Sequence, residues 1–456
     1  MHGPVRGHIR HIENRHSTPA AFHSSQINHF MLAHRTANLE PMQWRWGTLM
    51  RAPHRLAFAW AHIVLLCASF WWLTVQLTRA GWMPDGLEVT PWISSTVVHG
   101  VTMSFGFAPL FFCGFLFTAG PKWLGVEPPR AQDLLPATTL QGAGWVIWLW
   151  GAHHALWLAL LGGAMAWLGL FLCHWRFISL LRNSPSGDMS HAVLIAMAGT
   201  MGLLSLAGVL GSLLVDDTDL ARAWTQTGLW SYVVMVYVTV AHRMIPFFTS
   251  TALQQVTAWR PMWVLYFLVV AVLHKTVSVW FDHSGWHWPA WSVISSFWML
   301  VTGLILLWLA FVWGLIQSMK IRLLAMLHIG FLWLGLGFLL DATGHFWTDM
   351  TGEAGWSLGA MHATTMGFMG SLLLAMVTRV SCGHGGRVLV ADGFIWFAFL
   401  VLQLATWLRV AAAIMHNEYH ALLTVLAAFC WLVATAPWAI RLFRWYGKPR
   451  TDGRPG

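Results

Sequence analysis

The chain has 456 residues, of which 57% are apolar and only 9% are charged, whereas soluble globular proteins carry about 25% charged residues. This composition excludes a soluble protein and predicts a polytopic membrane protein in contact with a lipid bilayer. The formal net charge of +9 does not indicate a nucleic-acid partner, because positive charge gathered on one side of a bilayer sets the orientation of the chain instead.

Residues 1–50 are rich in histidine and contain neither an apolar periodicity nor the apolar core of a signal peptide. We expect this segment to be a disordered cytoplasmic extension. A histidine-rich tail could bind metal loosely, but we favour a start assigned too far upstream as the explanation of this segment.

About twenty apolar residues suffice to cross the hydrocarbon core of a bilayer. By this measure residues 51–445 form an all-α membrane bundle of about twelve transmembrane helices, and residues 446–456 form a basic cytoplasmic tail. The third and fourth spans form a tight pair around the sequence GAHHA. The predicted spans are residues 56–78, 92–118, 137–152, 155–178, 191–214, 226–250, 261–280, 290–317, 323–341, 356–380, 392–411 and 419–441.

Basic residues indicate the orientation of this bundle, because lysine and arginine concentrate in short cytoplasmic loops. With the N-terminus in the cytoplasm, most of the 26 lysines and arginines fall on the cytoplasmic side, and the acidic run Asp216–Asp219 falls outside. We therefore expect an even number of crossings with both termini cytoplasmic.

The five cysteines are scattered and form no CxxC or CxxCH motif, so a disulfide framework, a zinc ribbon and a covalently attached c-type haem are unsupported. The 24 histidines are more informative, because histidine is the commonest metal ligand and is costly in hydrocarbon. Several histidines, including His153 and His345, fall in outer loops, where we expect most of them to be solvated.

One histidine motif occurs twice, as HGVTMSF from His99 and as HATTMGF from His362. The two helices run in the same direction, and both histidines lie roughly 10 Å below the outer surface at ~1.5 Å per residue. Met103 and Met366 follow at i+4, on the histidine face of a regular helix. This arrangement predicts axial ligation of a b-type haem by His99 and His362. The alternative is that each histidine only packs between helices through a hydrogen bond.

A second group of histidines is expected near the cytoplasmic face. It comprises His62, His242, His328 and His384. Next to His242, Arg243 lies within a span, where an arginine usually holds an anion such as a haem propionate. The competing explanation is that Arg243 extends to the inner interface.

Several segments resemble the NnrS family of haem- and copper-containing membrane proteins. They are HGVTMSFGFAPLFFCGFLFTAGPKWLG, RMIPFFT, LAMLHIGFLWLGLGFLL and MHATTMGFMGSLLLAMVTRVSCGHGGRVL. The resemblance covers most of residues 51–445. It implies a twelve-span protein of the bacterial inner membrane that is linked to nitric oxide, denitrification and nitrosative stress, with haem and copper as cofactors. It also implies Arg379 as a cofactor-binding residue and His384 as a metal-ligand candidate. His242 and His328 are metal-ligand candidates because of their predicted position in the inner group of histidines.

Two positions depart from the family pattern. The first family motif tends to read His-x-His-Glu-Met, where this chain has Val101 and Thr102, and at His242 the family more often has glycine. Haem ligands on spans two and ten are also similar to those of the haem-copper oxidases. However, span seven has only His274 followed by Lys275 in place of the adjacent histidine pair of those oxidases, which disfavours a four-electron oxygen reductase.

These observations favour a haem-based protein that binds or detoxifies nitric oxide. Reduction to nitrous oxide would need protons and an electron donor that the sequence does not identify, and the spans contain almost no aspartate or glutamate. Binding is therefore preferred over catalysis at this stage. The alternatives are a haem or copper delivery protein without catalysis and a transporter that holds no metal.

Overall fold

A computed structural model describes residues 43–285, 288–353, 355–415 and 418–454. Within these ranges the chain is helical and contains no strand. The predicted disorder of the N-terminal extension falls on residues 1–42, which lie outside the described residues. The described part begins just before a short helix, Trp46–Leu49, in which Leu49 is buried.

Twelve long helices make up the described part of the chain. They are α1 (Pro53–Arg79), α2 (Ser95–Leu124), α3 (Ala131–His154), α4 (Leu156–Arg182), α5 (Ser190–Leu214), α6 (Thr218–Ala252), α7 (Met262–Ser284), α8 (Pro289–Val312), α9 (Arg322–Thr351), α10 (Ser357–His384), α11 (Gly393–Ile414) and α12 (His420–Tyr446). A short helix, Leu315–Ser318, lies between α8 and α9.

Eleven of these helices are long and apolar enough to cross a membrane, and α3 is the one that is less apolar. The predicted all-α polytopic bundle of about twelve spans is thus confirmed. Some helices extend past their apolar runs, because helical winding does not end where hydropathy falls. The ninth helix continues beyond the predicted end at Asp341 to Thr351, so that Asp341 and His345 lie on one helix.

The termini of the described chain meet at one end of the bundle. The amide of Arg45 donates to the carbonyl of Gly447 at 2.7 Å. The Arg55 guanidinium donates to the carbonyls of Tyr446 at 3.1 Å and Lys448 at 2.7 Å. We call this end the terminal face and the opposite end the far face. Assignment of the terminal face to the cytoplasm stays a prediction.

Three helices contain π-helical segments, at Thr102–Gly106 in α2, Leu229–Val234 in α6 and Ala363–Gly370 in α10. All three helices begin at the far face, so the segments lie in the same half of the bundle. The first two pack together, with the rings of Phe105 and Tyr232 stacked at 6.5 Å. Such π insertions are rare in proteins, and those that do occur are often found at functional sites.

The tight pair predicted around GAHHA is observed as the hairpin of α3 and α4, which Ala155 alone separates. Glycines allow the two backbones to touch. A Cβ atom on Gly144 would lie 2.6 Å from the carbonyl oxygen of Gly162 and 2.7 Å from the amide nitrogen of Ala166. Close packing of this kind replaces the hydrophobic effect as the force that joins helices inside a bilayer.

Replacing Gly144 by valine is expected to force α3 and α4 apart and to destabilise the protein by about 1–3 kcal/mol or more, because backbone atoms cannot move aside as side chains do. The thermal unfolding midpoint in detergent should fall. Gly211 is the matched control, because a Cβ atom there meets nothing within 4 Å in the structure. Equal unfolding midpoints for Gly144→Val and Gly211→Val would contradict this account of the hairpin.

Candidate functional site

The two copies of the histidine motif adopt the same local structure. His99 lies near the start of α2 and His362 near the start of α10, both at the far face. A π segment follows each, beginning at Thr102 after His99 and at Ala363 after His362. Because a π turn holds more residues than an α turn, Met103 and Met366 are rotated from the positions that regular α winding would give them. Both methionines are half-buried against the core.

The imidazole of His362 is held in one tautomer. Its Nδ1 lies 2.7 Å from the carbonyl oxygen of Leu358, one turn earlier on α10. A carbonyl oxygen only accepts, so Nδ1 carries the proton and Nε2 keeps its lone pair. Metal-ligating histidines have this arrangement, because the hydrogen bond orients the ring and makes the other nitrogen more basic.

The imidazole of His99 is held by stacking. The Trp72 ring lies on it with centroids 3.6 Å apart and planes 14° apart. Arg79 lies over the same indole at 5.3 Å and donates to Ser95 Oγ and Thr96 Oγ1. The Nδ1 atom of His99 is buried and has no hydrogen-bond partner among the described residues. Imidazole lone pairs lie in the ring plane, so stacking fixes the ring and leaves its edge available.

A charged residue lies beside the two imidazoles. His99 and His362 are electrostatic neighbours, and Arg409 on α11 is a neighbour of both. One guanidinium nitrogen of Arg409, Nη1, is buried without an acceptor in the part of the chain that the structure describes. A buried cationic nitrogen without an acceptor is costly. The arrangement therefore fits a bound anion beside the two imidazoles.

The donor set fits a b-type haem. His362 presents a bare Nε2 atom, His99 presents an unpaired ring edge, and Arg409 presents an unpaired guanidinium nitrogen of the kind that pairs with a carboxylate such as a propionate. These residues could hold a haem in the far-face half of the bundle.

Arg243 and Arg379, the two arginines predicted to bind a cofactor, lie elsewhere. Arg243 stands over the Trp123 ring at 4.9 Å and Arg379 over the Phe248 ring at 3.9 Å, both near the terminal face. Arg379 is roughly 25 Å from His362 along α10 at ~1.5 Å per residue. The sequence did not single out Arg409 or Trp72 as residues of the site. An arginine enclosed by the apolar run WLRVAAA was the available signal.

The predicted inner histidines do not form one site. Ring nitrogens of His242 contact His191 Nε2 at 3.0 Å and the Pro261 carbonyl at 3.2 Å. Because the carbonyl only accepts, His242 donates to it and accepts the proton of His191. Both nitrogens of His242 are therefore engaged within the protein. His191 was not identified from the sequence.

His328 is held differently. The Thr249 hydroxyl donates to the Ile245 carbonyl at 2.9 Å, so it accepts from His328 Nε2, also at 2.9 Å. The Nδ1 atom of His328 consequently carries a lone pair. This atom is buried without a hydrogen-bond partner within the described ranges, so it could bind a metal.

A histidine pair lies at the terminal face. The rings of His54 and His384 are 4.7 Å apart, and His54 was missed in the sequence. Nearby, His62 donates from Nδ1 to the Phe58 carbonyl at 2.6 Å, and its Nε2 atom is buried without a partner in the described part of the chain. No group of three or more His, Cys, Asp or Glu side chains poised for a metal occurs among the described residues.

The fold and this site define a polytopic helical membrane protein with the architecture of a haem-copper oxidase. A solved structure described as a heme-copper terminal oxidase dimer matches with a TM-score of 0.62 and 13% identity, over 88% of this chain and 86% of that chain. At this identity the likeness shows the fold alone. The chain belongs to the NnrS protein family, whose pattern matches residues 48–450. No curated protein matches the chain.

Replacing Arg409 by glutamine is expected to weaken haem retention about ten- to one-hundred-fold, since a charge-assisted hydrogen bond contributes roughly 1.5–3 kcal/mol. Haem content after purification, measured as the pyridine haemochrome, reports the loss. In haem-depleted protein the same change should leave the unfolding midpoint unchanged or raise it, because it removes an unpaired charge.

Arg222 is the matched control for this test. It is an exposed arginine on α6 that pairs with Asp219. Arg222→Gln should leave haem content unchanged. Equal haem content in the Arg409 and Arg222 variants would remove Arg409 from the site.

Proposed function

We propose that this NnrS-family protein binds a b-type haem and copper in the bacterial inner membrane and that it binds and detoxifies nitric oxide. One observation carries the proposal. The two copies of the histidine motif come together as electrostatic neighbours beside an arginine whose Nη1 atom has no acceptor among the described residues. A pair of packing histidines would not require an unpaired buried cation next to them.

The residues of the site have distinct roles in this proposal. His362, through Nε2, and His99 would hold the iron, while Trp72 fixes the plane of the His99 ring. Arg409 would pair with a propionate. A ferrous haem held by these residues would supply the iron to which nitric oxide binds.

Nitric oxide is small, neutral and soluble in lipid, so it can enter the bundle from the bilayer. An apolar cavity of about 60 Å³ lies in the terminal-face half of the bundle among α1, α2, α6, α9 and α10, and it is lined mainly by Phe, Leu, Val and Met side chains. Tyr237 is the residue that brings a hydroxyl group to this lining. Such a space can hold an apolar gas inside the bundle without a polar channel.

Reduction to nitrous oxide is the finer form of this proposal. Two nitric oxide molecules, two electrons and two protons would give one nitrous oxide and one water. The protein would need an electron donor, which remains to be identified, and a route for protons. Binding of nitric oxide alone would make the protein a sink for the gas.

The function is tested by adding nitric oxide to the purified ferrous protein. The visible and EPR spectra should change on addition of the gas. His99→Ala and His362→Ala should each abolish the haem spectrum and with it this response, because each removes one axial ligand. A colourless wild-type protein would refute the proposal.

His154→Ala is the control for these variants. His154 is an exposed far-face histidine whose ring bonds to the Trp150 carbonyl of its own helix at 2.8 Å. This variant should keep the haem spectrum. Haem spectra like the wild type in both the His99 and His362 variants would disprove the assignment of the ligands.

For copper, we propose a separate site at the terminal face, at His384 and His54. Two neighbouring imidazoles are suitable copper ligands. His328, with its bare Nδ1 atom, is a further candidate, whereas His242 would have to give up two hydrogen bonds.

His384→Ala should lower the copper content by at least half while the haem spectrum persists. Mass spectrometry of the metal in purified protein measures the first quantity and absorbance the second. His191→Ala is the control, because that histidine pairs with His242 instead. Loss of haem in His384→Ala would show that haem and copper share one site. Purified wild-type protein that holds copper loosely and contains no haem would favour a delivery protein.

A further inference from the structure

A second, polar cavity lies in the far-face half of the bundle among α6, α7, α9 and α10. It has a volume of about 230 Å³ and a lining that is about equally polar and apolar. Its polar lining includes Gln226, Lys275, Asp282, Asp341, His345 and Thr364. This lining is unlike that of the apolar cavity, and the space is large enough and polar enough to hold water.

A buried ion pair lies at the wall of this cavity. Lys275 on α7 donates to Asp341 Oδ2 on α9, and the two side chains are only 14% and 4% exposed. The Asp341 Oδ1 atom is buried and has no hydrogen-bond partner in the described residues. His345 Nε2 lies 3.9 Å from Oδ1, beyond hydrogen-bond distance.

The unpaired oxygen of Asp341 points to a ligand that donates a hydrogen. A carboxylate buried in a low-dielectric interior is stable only when both oxygens are satisfied. Lys275 already satisfies one oxygen, so a metal cation at the other would meet a neighbouring positive charge. Water or an added proton avoids this repulsion, and a proton on Oδ1 also supplies the missing hydrogen.

Other groups around the pair can exchange protons. His274, Asp282 and His345 are its titratable neighbours on α7 and α9. The described residues that line the cavity from α6 and α10 are not ionisable, and their polar side chains are Gln226, Trp230, Ser357 and Thr364. From α8, Ser295 bonds to His274 and Met299 contacts Lys275.

The cavity reaches the segment that carries His362. Thr364 lines it and belongs to the π segment that starts directly after that histidine. At the other end, Asp282 lies two residues before the end of α7 at the far face. A chain of polar groups therefore leads from the far face toward the candidate haem site.

We propose that this cavity is a water-filled proton-exchange site, in which Asp341, held by Lys275, takes up and releases protons between the far face and the segment that carries His362. In uptake, an O–H bond of a hydronium ion breaks and an O–H bond forms on Asp341 Oδ1, while Lys275 stays an ammonium. The use of these protons at a haem rests on the proposed function, but the exchange itself does not.

Infrared titration of haem-depleted protein tests the exchange directly. Acidification should produce, beside the bands of the exposed acids, a separate carbonyl band from a buried protonated carboxyl group, and this band should shift in D₂O because water reaches the site. Asp341→Asn should lack the band. Asp349→Asn is the matched control, because Asp349 is an exposed acid on the same helix, and this variant should keep the band.

The outcomes separate the exchange site from a merely structural ion pair. A band that persists in Asp341→Asn, or that disappears only in Asp282→Asn, would overturn the proposal. If Asp341→Asn fails to accumulate, the double variant Lys275→Met/Asp341→Asn removes both charges together and leaves neither unpaired. The same loss of the band is then expected.

A second measurement connects the site to the haem. In haem-loaded protein, the pH dependence of the haem midpoint potential should fall to less than half in Asp341→Asn and stay unchanged in Asp349→Asn. Protein that shows the infrared band but binds no haem would refute the proposed function and keep the exchange site. Protein that binds haem and nitric oxide but shows no Asp341 band would keep the proposed function and refute the exchange site.

Discussion

Inside a bilayer, every polar group must find its partner within the protein, because lipid offers no hydrogen bonds. This constraint organises the bundle. Threonine and serine hydroxyls return to carbonyls of their own helices, and indole nitrogens reach hydroxyls on other helices, as Trp148 does to Thr102 and Trp438 to Thr378. Polar atoms that break the rule are therefore informative. His99 Nδ1, Arg409 Nη1, His328 Nδ1 and Asp341 Oδ1 are buried and lack partners among the described residues, and each lies where a ligand could supply one.

π-helical segments lie next to several of these groups. The motif that begins with His99 and His362 introduces a π segment after each histidine. A third π segment, in α6, packs against the first through Phe105 and Tyr232. These segments lie in the far-face half of the bundle, and Trp230, from the α6 segment, also lines the polar cavity. The candidate haem site and the cavity thus share the irregular parts of the helices, where the backbone departs from the repeat that simple packing requires.

The architecture constrains the function without deciding it. The likeness to a heme-copper terminal oxidase extends over most of both chains, but at 13% identity it shows the fold alone. In this protein Lys275 pairs with Asp341 across two helices. The polar groups within the bundle are what distinguish one function from another, as expected when function depends on sites rather than on architecture.

The amino-acid sequence by itself determined the helical bundle, the number of long helices and the histidine pair. Hydropathy depends on about twenty consecutive residues, and the duplicated motif is visible in the sequence itself. Neither feature requires knowledge of a tertiary contact. Tertiary structure alone decided that Arg409 stands beside the two imidazoles, that the inner histidines divide among separate partners and that Lys275 meets Asp341. Partners of this kind come from helices far apart in the chain, and their meeting depends on how side chains of all the helices pack. An acid at the end of a predicted span can therefore contribute to a polar cavity, because α9 continues past its apolar run and brings Asp341 and His345 to the same wall.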